Sequence, residues 1–274
     1  MHQRLIPATG ESIPIIGLGT WQTFDVGHTK EELDPLREVL KVLIKYGGSV
    51  IDSSPMYGRS EKVVGNLTRE LGLKDNIFEA TKVWTTGEKA GQLQIQNSIS
   101  LLDARPLDLL QIHNLVDWKT HIKTLRNLKD AGKIRYIGIT HYLEGAYPEM
   151  EKIMKQEKPD FIQINYNLAV RDADKRILPL AKDKGIAVLI NRPYEGGTLF
   201  RKFKERSLPA WAGEFDASSW GQLFLKFILS NNAVTCVIPG TSKPRHMEDN
   251  AQAGFGRMPD LTHKKKLIQL IESI

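Results

Sequence analysis

Short apolar runs rich in β-branched residues alternate along this chain with longer segments in which apolar residues recur every three or four positions. The short runs predict buried β-strands, and the longer segments predict amphipathic helices. The predicted strands are residues 15–18, 49–52, 77–83, 107–113, 134–140, 161–166, 186–191 and 235–238. A helical segment follows each of them. In a further, last predicted helix, Leu267, Leu270, Ile271 and Ile274 have the spacing of one helical face.

Capping residues predict where several of these helices begin. Asp34 stands before Pro35, and proline favours the first helical position because it has no N–H to leave unpaired. Ser60 is predicted to open the second helix. Asp117 and Ser218 are the predicted N-caps of two later helices.

Strands that alternate with helices predict a parallel sheet joined by right-handed crossovers. Eight such units in roughly 250 residues are typical of a closed (β/α)8 TIM barrel of the α/β class. Residues 3–14 precede the first strand and predict a β-hairpin, and the last helix is an extra one. The alternative is an open doubly wound sheet, but GLG at 17–19 lacks the third glycine of its usual phosphate turn. Residues 1–274 are expected to form a single domain.

Charge and cysteine content indicate which binding partners and which cellular location to expect. The formal net charge is +6, and the basic residues lie beside acidic ones without a basic stripe interleaved with aromatics. We therefore expect no nucleic-acid partner, although a basic balance suits an anionic cofactor. The single cysteine, Cys236, excludes an internal disulfide framework. No apolar run is long enough for a membrane span or a signal peptide, so a cytoplasmic location is expected, with export of a longer precursor left open.

Side chains with useful chemistry stand at or just past the ends of three successive predicted strands: Asp52, Tyr57, Lys82 and His113. In a barrel these ends form the mouth where active sites lie. A buried Asp–Lys pair would compensate two charges that are each costly to bury alone. An ammonium group near a phenol lowers the tyrosine pKa, so Tyr57 could donate a proton to a carbonyl oxygen near neutral pH. His113 could orient the substrate oxygen or assist the proton transfer.

The strand ends lack the signatures of two other kinds of site. His113 and His141 lie on adjacent strand ends, but no cysteine or third histidine joins them, so no metal is expected. No Gly-x-Ser-x-Gly motif and no Cys–His pair supplies an activated nucleophile. A proton donor with Lys and Asp but without a nucleophile suits reduction by an external hydride donor.

Several motifs, in the same order, resemble those of the aldo-keto reductase family across essentially the whole chain. They are GLGTW at 17–21, IDSSPMYG at 51–58, TKVW at 81–84, DLLQIH at 108–113, IRYIGIT at 134–140, QINY at 163–166 and IPGT at 238–241, running on to Asp249 and Asn250. The resemblance implies a (β/α)8 barrel with a hairpin closing its bottom and a dependence on NADPH, or sometimes NADH. In that family pattern Tyr57 would be the general acid, Lys82 and Asp52 its pKa-tuning pair, and His113 the residue that orients the carbonyl.

The resemblance also implies where the cofactor lies, extended across the barrel mouth. The nicotinamide carboxamide would be held by Thr140, His141 and Gln163, and the adenosine phosphates would lie near residues 240–250. The residues expected to bind the cofactor are Gly19, Thr20, Trp21, Asp52, Thr140, His141, Gln163, Arg192, Pro193, Tyr194, Ile238, Gly240, Thr241, Lys243, Arg245, His246, Asp249 and Asn250.

The residues expected to contact the nicotinamide end of the cofactor depart from the family pattern. The carboxamide pair is commonly Ser-Asn in the family, but it is Thr140 and His141 here. Arg192 stands where an aromatic ring usually stacks on the nicotinamide. A guanidinium can stack on a planar ring, and Tyr194 is an alternative aromatic. Glu195 is open to two interpretations, a solvated carboxylate or a clamp on the cofactor.

The residues expected to contact the cofactor phosphates depart from the family pattern as well. Gly240 replaces a basic residue, and His246 stands where an arginine binds the 2′-phosphate, with Lys243 and Arg245 close by. Because Lys243 and Arg245 are close by, NADPH is the expected cofactor and NADH the alternative.

Trp220 is expected only to pack its helix on the barrel.

The expected substrate is a small aldehyde or ketone at an open mouth. The chain stops at its last predicted helix without the family's long C-terminal substrate loop, and Trp21, Met56 and Trp84 suggest an apolar rim. We expect weak, broad activity and a monomer.

Two alternatives to a carbonyl reductase stay open. The first is a nicotinamide-binding regulatory or sensor protein with little turnover, which His141 and Arg192 would favour. The second is a barrel lyase or isomerase, which would act without a cofactor. The set of Asp52, Tyr57, Lys82 and His113 favours the reductase.

Overall fold

A β-hairpin precedes an alternating series of strands and helices. The structure is a computed structural model that describes residues 1–273. The hairpin pairs β1 (Gln3–Leu5) with β2 (Ser12–Pro14) in antiparallel register, with Arg4 opposite Ile13. Ile274, which the sequence pattern placed on the last helix, lies outside the described residues.

The remaining strands form a parallel sheet that closes on itself. Within residues 1–273 its eight strands are β3 (Leu18–Gly19), β4 (Val50–Asp52), β5 (Phe78–Val83), β6 (Leu107–His113), β7 (Ile134–His141), β8 (Phe161–Asn165), β9 (Ala187–Asn191) and β10 (Cys236–Val237). Each strand pairs in parallel with the next. Bridges from Ile16 to Val237 and from Gly19 to Gly240 join the two edges. The predicted (β/α)8 barrel is confirmed, and the doubly wound alternative is wrong.

Helices surround the barrel and bury their apolar faces against it. They are α1 (Lys30–Lys45), α2 (Ser60–Glu70), α3 (Glu88–Leu102), α4 (Trp118–Asp130), α5 (Tyr147–Glu157), α6 (Ile177–Lys184), α7 (Thr198–Lys202), α8 (Trp220–Leu229), α9 (Pro244–Gln252) and α10 (Leu261–Glu272). In α1 the buried face consists of Leu36, Val39, Leu40 and Leu43. Burying one such side chain stabilises the fold by about 1.5–3 kcal/mol. Among residues 1–273, no helix has the length and apolar character that crossing a membrane requires.

The lower interior of the barrel is apolar and is plugged by the hairpin. Alternate residues of each strand point inward. Near the strand starts these positions hold Phe78, Tyr136 and Phe161, whose ring centroids lie 5.5 to 6.0 Å apart. Ile6 and Ile13 of the hairpin belong to the same buried cluster. With its lower end filled, the barrel is open to solvent at the carboxyl ends of its strands.

The predicted start of α1 at Asp34 is wrong. The helix begins at Lys30, because Thr29 and Glu32 form a capping box in which each side chain accepts the other's backbone N–H. Pro35 therefore lies inside the helix. Two satisfied N–H groups outweigh the preference of proline for the first turn.

The predicted cap of α8 is displaced by one residue. Ser219, not Ser218, accepts the backbone N–H of Gln222, at 3.0 Å, whereas Ser218 Oγ donates to the Gln222 side chain at 3.1 Å. Asp117 does occupy the N-cap position of α4, but its carboxylate accepts from the Gly87 N–H at 2.8 Å and makes no capping bond. Ser219 therefore caps α8 and also donates to Asp249 Oδ2 at 2.8 Å, whereas Asp117 makes a tertiary contact in place of a capping bond.

Helices α2 and α3 meet at Gly65. A Cβ at this position would lie 2.0 Å from the carbonyl oxygen of Leu101 and 2.9 Å from the Cα of Leu102. Both neighbours are backbone atoms, so relief requires the helices to move apart.

We expect Gly65→Ala to lower the free energy of unfolding by about 1–3 kcal/mol through overpacking. The effect should prevail although alanine has the better helix propensity by about 1 kcal/mol. Gly145→Ala is the matched control, because a Cβ there meets nothing within 4 Å. The measurement is the urea midpoint of both variants. A Gly65→Ala midpoint at or above that of the parent protein would contradict the close approach.

Candidate active site

A cavity of about 1090 Å³ opens at the carboxyl ends of the barrel strands. The strand ends supply part of its wall, namely Asp52, His113, Thr140, Gln163 and Asn191. The loops after β3 and β4 add Trp21 and Tyr57. The apolar interior below therefore gives way to a polar layer at the mouth, where active sites of this fold lie.

Lys82 and Asp52 form a buried ion pair beneath the cavity. Lys82 is 0% exposed, and its Nζ donates to Asp52 Oδ2 and to the Ser53 carbonyl oxygen, each at 2.6 Å. Gln111 Nε2 donates to the other oxygen of Asp52 at 3.0 Å. Burial lowers the pKa of Lys82, but the charge of Asp52 and the nearby Tyr57 more than offset it, so the net pKa is raised. The ammonium is therefore charged, as the sequence predicted.

Tyr57 stands over this pair in the loop after β4. The Lys82 Nζ lies 5.0 Å from the centroid of its ring. Burial raises the pKa of Tyr57, Lys82 pulls it down, and Asp52 raises it again, with a net increase. The predicted lowering of this pKa is therefore wrong, because Asp52 cancels much of the field of Lys82 and burial disfavours the phenolate.

His113 completes the predicted group. Its ring packs edge-on against Tyr57 with centroids 5.9 Å apart, and its Nδ1 lies 3.0 Å from Ser54 Oγ. Burial lowers the pKa of His113 to about 3, with further contributions from Lys82 and His141. The imidazole is therefore neutral at physiological pH.

Three residues that line the neighbouring part of the cavity carry buried polar atoms without partners. Thr140 Oγ1 donates to Gln163 Oε1 at 3.1 Å. Within residues 1–273, Gln163 Nε2, Asn191 Oδ1 and Arg192 Nε are buried without a hydrogen-bond partner. All three residues line the cavity. Such orphaned donors and acceptors favour a polar ligand that pairs with them.

Arg192 is held in a network beside these atoms. Its guanidinium donates to Glu195 Oε1 at 2.6 Å and lies 5.7 Å from the centroid of the Tyr142 ring. Glu195 Oε2 accepts from Asn165 and Asn167 at 3.2 and 2.9 Å. Burial alone would raise the pKa of Glu195, but these donors lower it overall. Glu195 is thus a clamp on Arg192 rather than a freely solvated carboxylate, and a contact with the cofactor stays a prediction.

The Aldo/keto reductase family model matches residues 15–265. The chain belongs to the aldo/keto reductase family. The resemblance inferred from its motifs is therefore confirmed.

Relatives of this aldo/keto reductase are distant. It is 30% identical to the aldo-keto reductase YhdN of Bacillus subtilis over 222 residues, which cover 75% of this chain and 66% of that protein. It is 27% identical to the NADH-specific methylglyoxal reductase of Escherichia coli over 214 residues, covering 67% and 64% of the two chains. The chain thus spans about two thirds of the length of these relatives.

Solved structures share the fold. An aldo/keto reductase from Klebsiella pneumoniae in complex with NADP and acetate has a TM-score of 0.82 at 24% identity, covering 95% of this chain and 92% of that one. A second Klebsiella pneumoniae structure, in complex with NADPH, has a TM-score of 0.82 at 23% identity over 98% and 95% of the chains.

Most of the predicted cofactor residues of this aldo/keto reductase line the cavity. They are Gly19, Thr20, Trp21, Asp52, Thr140, Gln163, Arg192, Pro193, Tyr194, Ile238, Gly240, Thr241, His246, Asp249 and Asn250. The cavity wall does not include His141, Lys243 or Arg245; His141 and Arg245 are adjacent in sequence to lining residues, and Lys243 is two residues from Thr241. The His141 Nδ1 accepts from the Leu143 N–H at 3.1 Å, and its ring stacks on Tyr142. Its contact with a carboxamide stays a prediction.

The distal half of the cavity contains residues that the sequence analysis missed. Lining residues outside the predicted set are Gln22, Thr23, Asn114, Tyr142, Asn191, Gly196, Gly197, Phe200, Ser219, Trp220 and Gly221. Four of them, Gly196, Gly197, Phe200 and Ser219, belong to the long connection between β9 and α8. Trp220 was expected only to pack; it does stack on Phe224 at 5.7 Å, but it also lines the cavity. The paths of this connection and of the loops after β3, β6 and β7 reveal these positions.

The mouth near Tyr57 has an apolar rim, as predicted. Trp21, Met56 and Trp84 line the cavity and are 47%, 37% and 42% exposed. Among residues 1–273, no group of three or more His, Cys, Asp or Glu side chains is arranged to hold a metal ion.

We expect the His113 imidazole to stay neutral down to about pH 4, far below the ordinary value near 6.5. Because burial depresses its pKa, the proton should bind only as the pH falls toward about 3. The measurement is an NMR titration of the histidine ring protons, with the His113 signal assigned by its loss in His113→Gln. A titration midpoint near 6.5 would contradict the buried, neutral state.

Proposed function

We propose that this chain catalyses the NAD(P)H-dependent reduction of aldehydes or ketones to alcohols. The observation that carries the proposal is the Tyr57 phenol above the buried Lys82–Asp52 pair, at the cavity mouth of an aldo/keto reductase. The names of the relatives support it, since one is an NADH-specific methylglyoxal reductase and the Klebsiella pneumoniae structures contain NADP or NADPH.

The orphaned atoms of the cavity fit a nicotinamide carboxamide. That group offers one carbonyl acceptor and one NH₂ donor. Gln163 Nε2 and Arg192 Nε are donors without an acceptor, and Asn191 Oδ1 is an acceptor without a donor. Thr140 holds the Gln163 amide in place through its hydroxyl. Arg192, held by Glu195, would lie against the planar ring, where the family usually has an aromatic side chain.

The reaction moves a hydride to the carbonyl carbon and a proton to the carbonyl oxygen. When bound, the reduced nicotinamide supplies the hydride. Tyr57 donates its hydroxyl proton, and the neutral His113 holds the carbonyl oxygen by a hydrogen bond. The resulting tyrosinate is stabilised by the Lys82 ammonium, which Asp52 keeps in place, until solvent returns a proton. The raised pKa of Tyr57 keeps the acid protonated before the transfer.

NADPH is the proposed cofactor, with NADH as the alternative. Lys243, Arg245 and His246 stand together at the start of α9, and His246 lines the cavity. Burial, followed by the charges of Arg245 and Lys243, lowers the pKa of His246, so Lys243 and Arg245 supply the positive charge here. This cationic cluster suits the extra phosphate that distinguishes NADPH from NADH.

A nicotinamide-binding regulatory or sensor protein with little turnover is the second candidate. It is favoured by Arg192, whose charged guanidinium replaces an aromatic surface and is paired with Glu195. Both candidates bind the cofactor, so turnover separates them.

We expect Tyr57→Phe to lower kcat for small aldehydes by about 10²–10⁴, the usual contribution of a positioned proton donor. Cofactor affinity should be retained, because the ring and its packing on His113 remain. Affinity is read from quenching of tryptophan fluorescence, since Trp21 and Trp84 line the cavity. Tyr46→Phe removes a phenol that is bonded to Glu248, outside the cavity, and serves as the control. Undiminished turnover in Tyr57→Phe would reject the proton-transfer role; cofactor binding without turnover in the parent protein would favour the sensor.

We expect Lys243→Gln combined with Arg245→Gln to weaken NADPH binding by about tenfold or more while leaving NADH binding nearly unchanged. Charge-assisted hydrogen bonds to the extra phosphate would be lost, at about 1.5–3 kcal/mol each. Lys265→Gln combined with Lys266→Gln, at two exposed positions of α10, removes the same number of charges and is the control. Equal weakening of both cofactors would contradict a 2′-phosphate site at this cluster.

A further inference from the structure

Ser54 joins the loop of Tyr57 to the ring of His113. Its side chain is fully buried, and its Oγ lies 3.0 Å from His113 Nδ1. The backbone N–H of Met56 donates to the same Oγ at 3.3 Å. Within residues 1–273 these are the two hydrogen bonds of the hydroxyl. Neither the motif analysis nor the proposed reaction assigns a role to Ser54.

Proton counting assigns the direction of the bond between Ser54 and His113. A hydroxyl has one hydrogen and can accept two hydrogen bonds. The Met56 N–H uses one acceptor site. If His113 Nδ1 also donated to Ser54, the buried hydroxyl hydrogen would be left without an acceptor, which is costly. If Ser54 donates to Nδ1 instead, every group is satisfied.

This direction determines what His113 presents to the cavity. A neutral imidazole has one N–H, so accepting at Nδ1 puts the proton on Nε2. Nε2 has no hydrogen-bond partner among residues 1–273, and His113 lines the cavity. An N–H there can donate to a carbonyl oxygen, whereas the other tautomer would present a lone pair and repel it. The depressed pKa of His113 matters here because only the neutral ring has two tautomers.

The backbone holds Ser54 in place from both sides. Pro55 follows it and restricts Ser54 to extended conformations. The Tyr57 N–H donates to the Ser54 carbonyl oxygen at 3.0 Å. The same short turn therefore fixes Ser54 relative to Tyr57, and Ser54 in turn fixes the ring that faces Tyr57.

We propose that Ser54 is a positioning residue that holds His113 as the Nε2–H tautomer, so that His113 can donate to the substrate carbonyl. The catalytic half of this inference rests on the proposed carbonyl reduction. The tautomer itself does not, because it can be read in the protein without substrate.

The test compares Ser54→Ala with the parent protein by ¹⁵N NMR of the histidine ring nitrogens and by steady-state kinetics with NADPH and an aromatic aldehyde. In the parent protein we expect a protonated Nε2 and an unprotonated Nδ1. In Ser54→Ala the two nitrogen shifts should move toward each other as the tautomers mix. The kcat should fall about tenfold, the effect of losing one neutral hydrogen bond in the transition state. Cofactor affinity should not change.

Two further variants separate positioning from general stability. Ser98→Ala removes another fully buried hydroxyl, which donates to Glu61 with an O–O distance of 3.1 Å and does not line the cavity. This variant should leave the His113 shifts and kcat unchanged. Ser54→Thr keeps the hydroxyl and should keep the parent tautomer, which also covers the case in which Ser54→Ala fails to fold. A protonated Nδ1 in the parent protein, or unchanged nitrogen shifts in Ser54→Ala, would overturn the inference. Altered shifts with unchanged kcat would overturn its catalytic half, and absent turnover in the parent would count against the proposed function but not against the tautomer.

Discussion

The ammonium group of Lys82 lies inside the barrel with no exposed surface, and much of the mouth is arranged around it. Burying such a charge costs several kcal/mol unless it is paired and hydrogen-bonded. Asp52, the Ser53 carbonyl and, through Asp52, Gln111 meet that requirement. These residues come from β4, β5 and β6, so satisfying one charge requires those strands to keep their register.

The same pair sets the electrostatics of the side chains above it. Because Asp52 neutralises Lys82 at 2.6 Å, Tyr57 experiences a weak net field and burial dominates its pKa. In the proposed reaction the ammonium would stabilise the negative charge that develops on the phenol oxygen, since the two groups are already in place. Burial, together with the nearby Lys82 and His141, lowers the pKa of His113 and keeps its imidazole neutral. A neutral imidazole has one N–H donor, and the hydrogen bond that its other nitrogen accepts decides which nitrogen carries the proton.

The other half of the cavity depends on the connection between β9 and α8. Arg192, at the end of β9, is tied down by Glu195, which lies only three residues further on. Asn165 and Asn167 then link this turn to β8 and the loop after it. The connection continues past Phe200 to Trp220 and closes one side of the cavity. A charged, hydrogen-bonded surface therefore forms this part of the cavity wall.

What the sequence by itself determined is the barrel, its hairpin, the family and the set of Asp52, Tyr57, Lys82 and His113. These follow from local periodicity and from motifs at strand ends. In a closed parallel barrel all strands end at the same mouth, so these motifs come together whatever the details of side-chain packing. Helix starts were less secure where two local signals competed, as Thr29 and Pro35 did. The tertiary structure alone decided the direction of the Tyr57 pKa, the contact of Ser54 with His113, and the clamp of Glu195 on Arg192. A pKa reflects the balance of burial and all surrounding charges, and a hydrogen bond such as that from Ser54 to His113 joins residues 59 positions apart. No pattern along the chain records either quantity, because both arise only when distant segments are packed together.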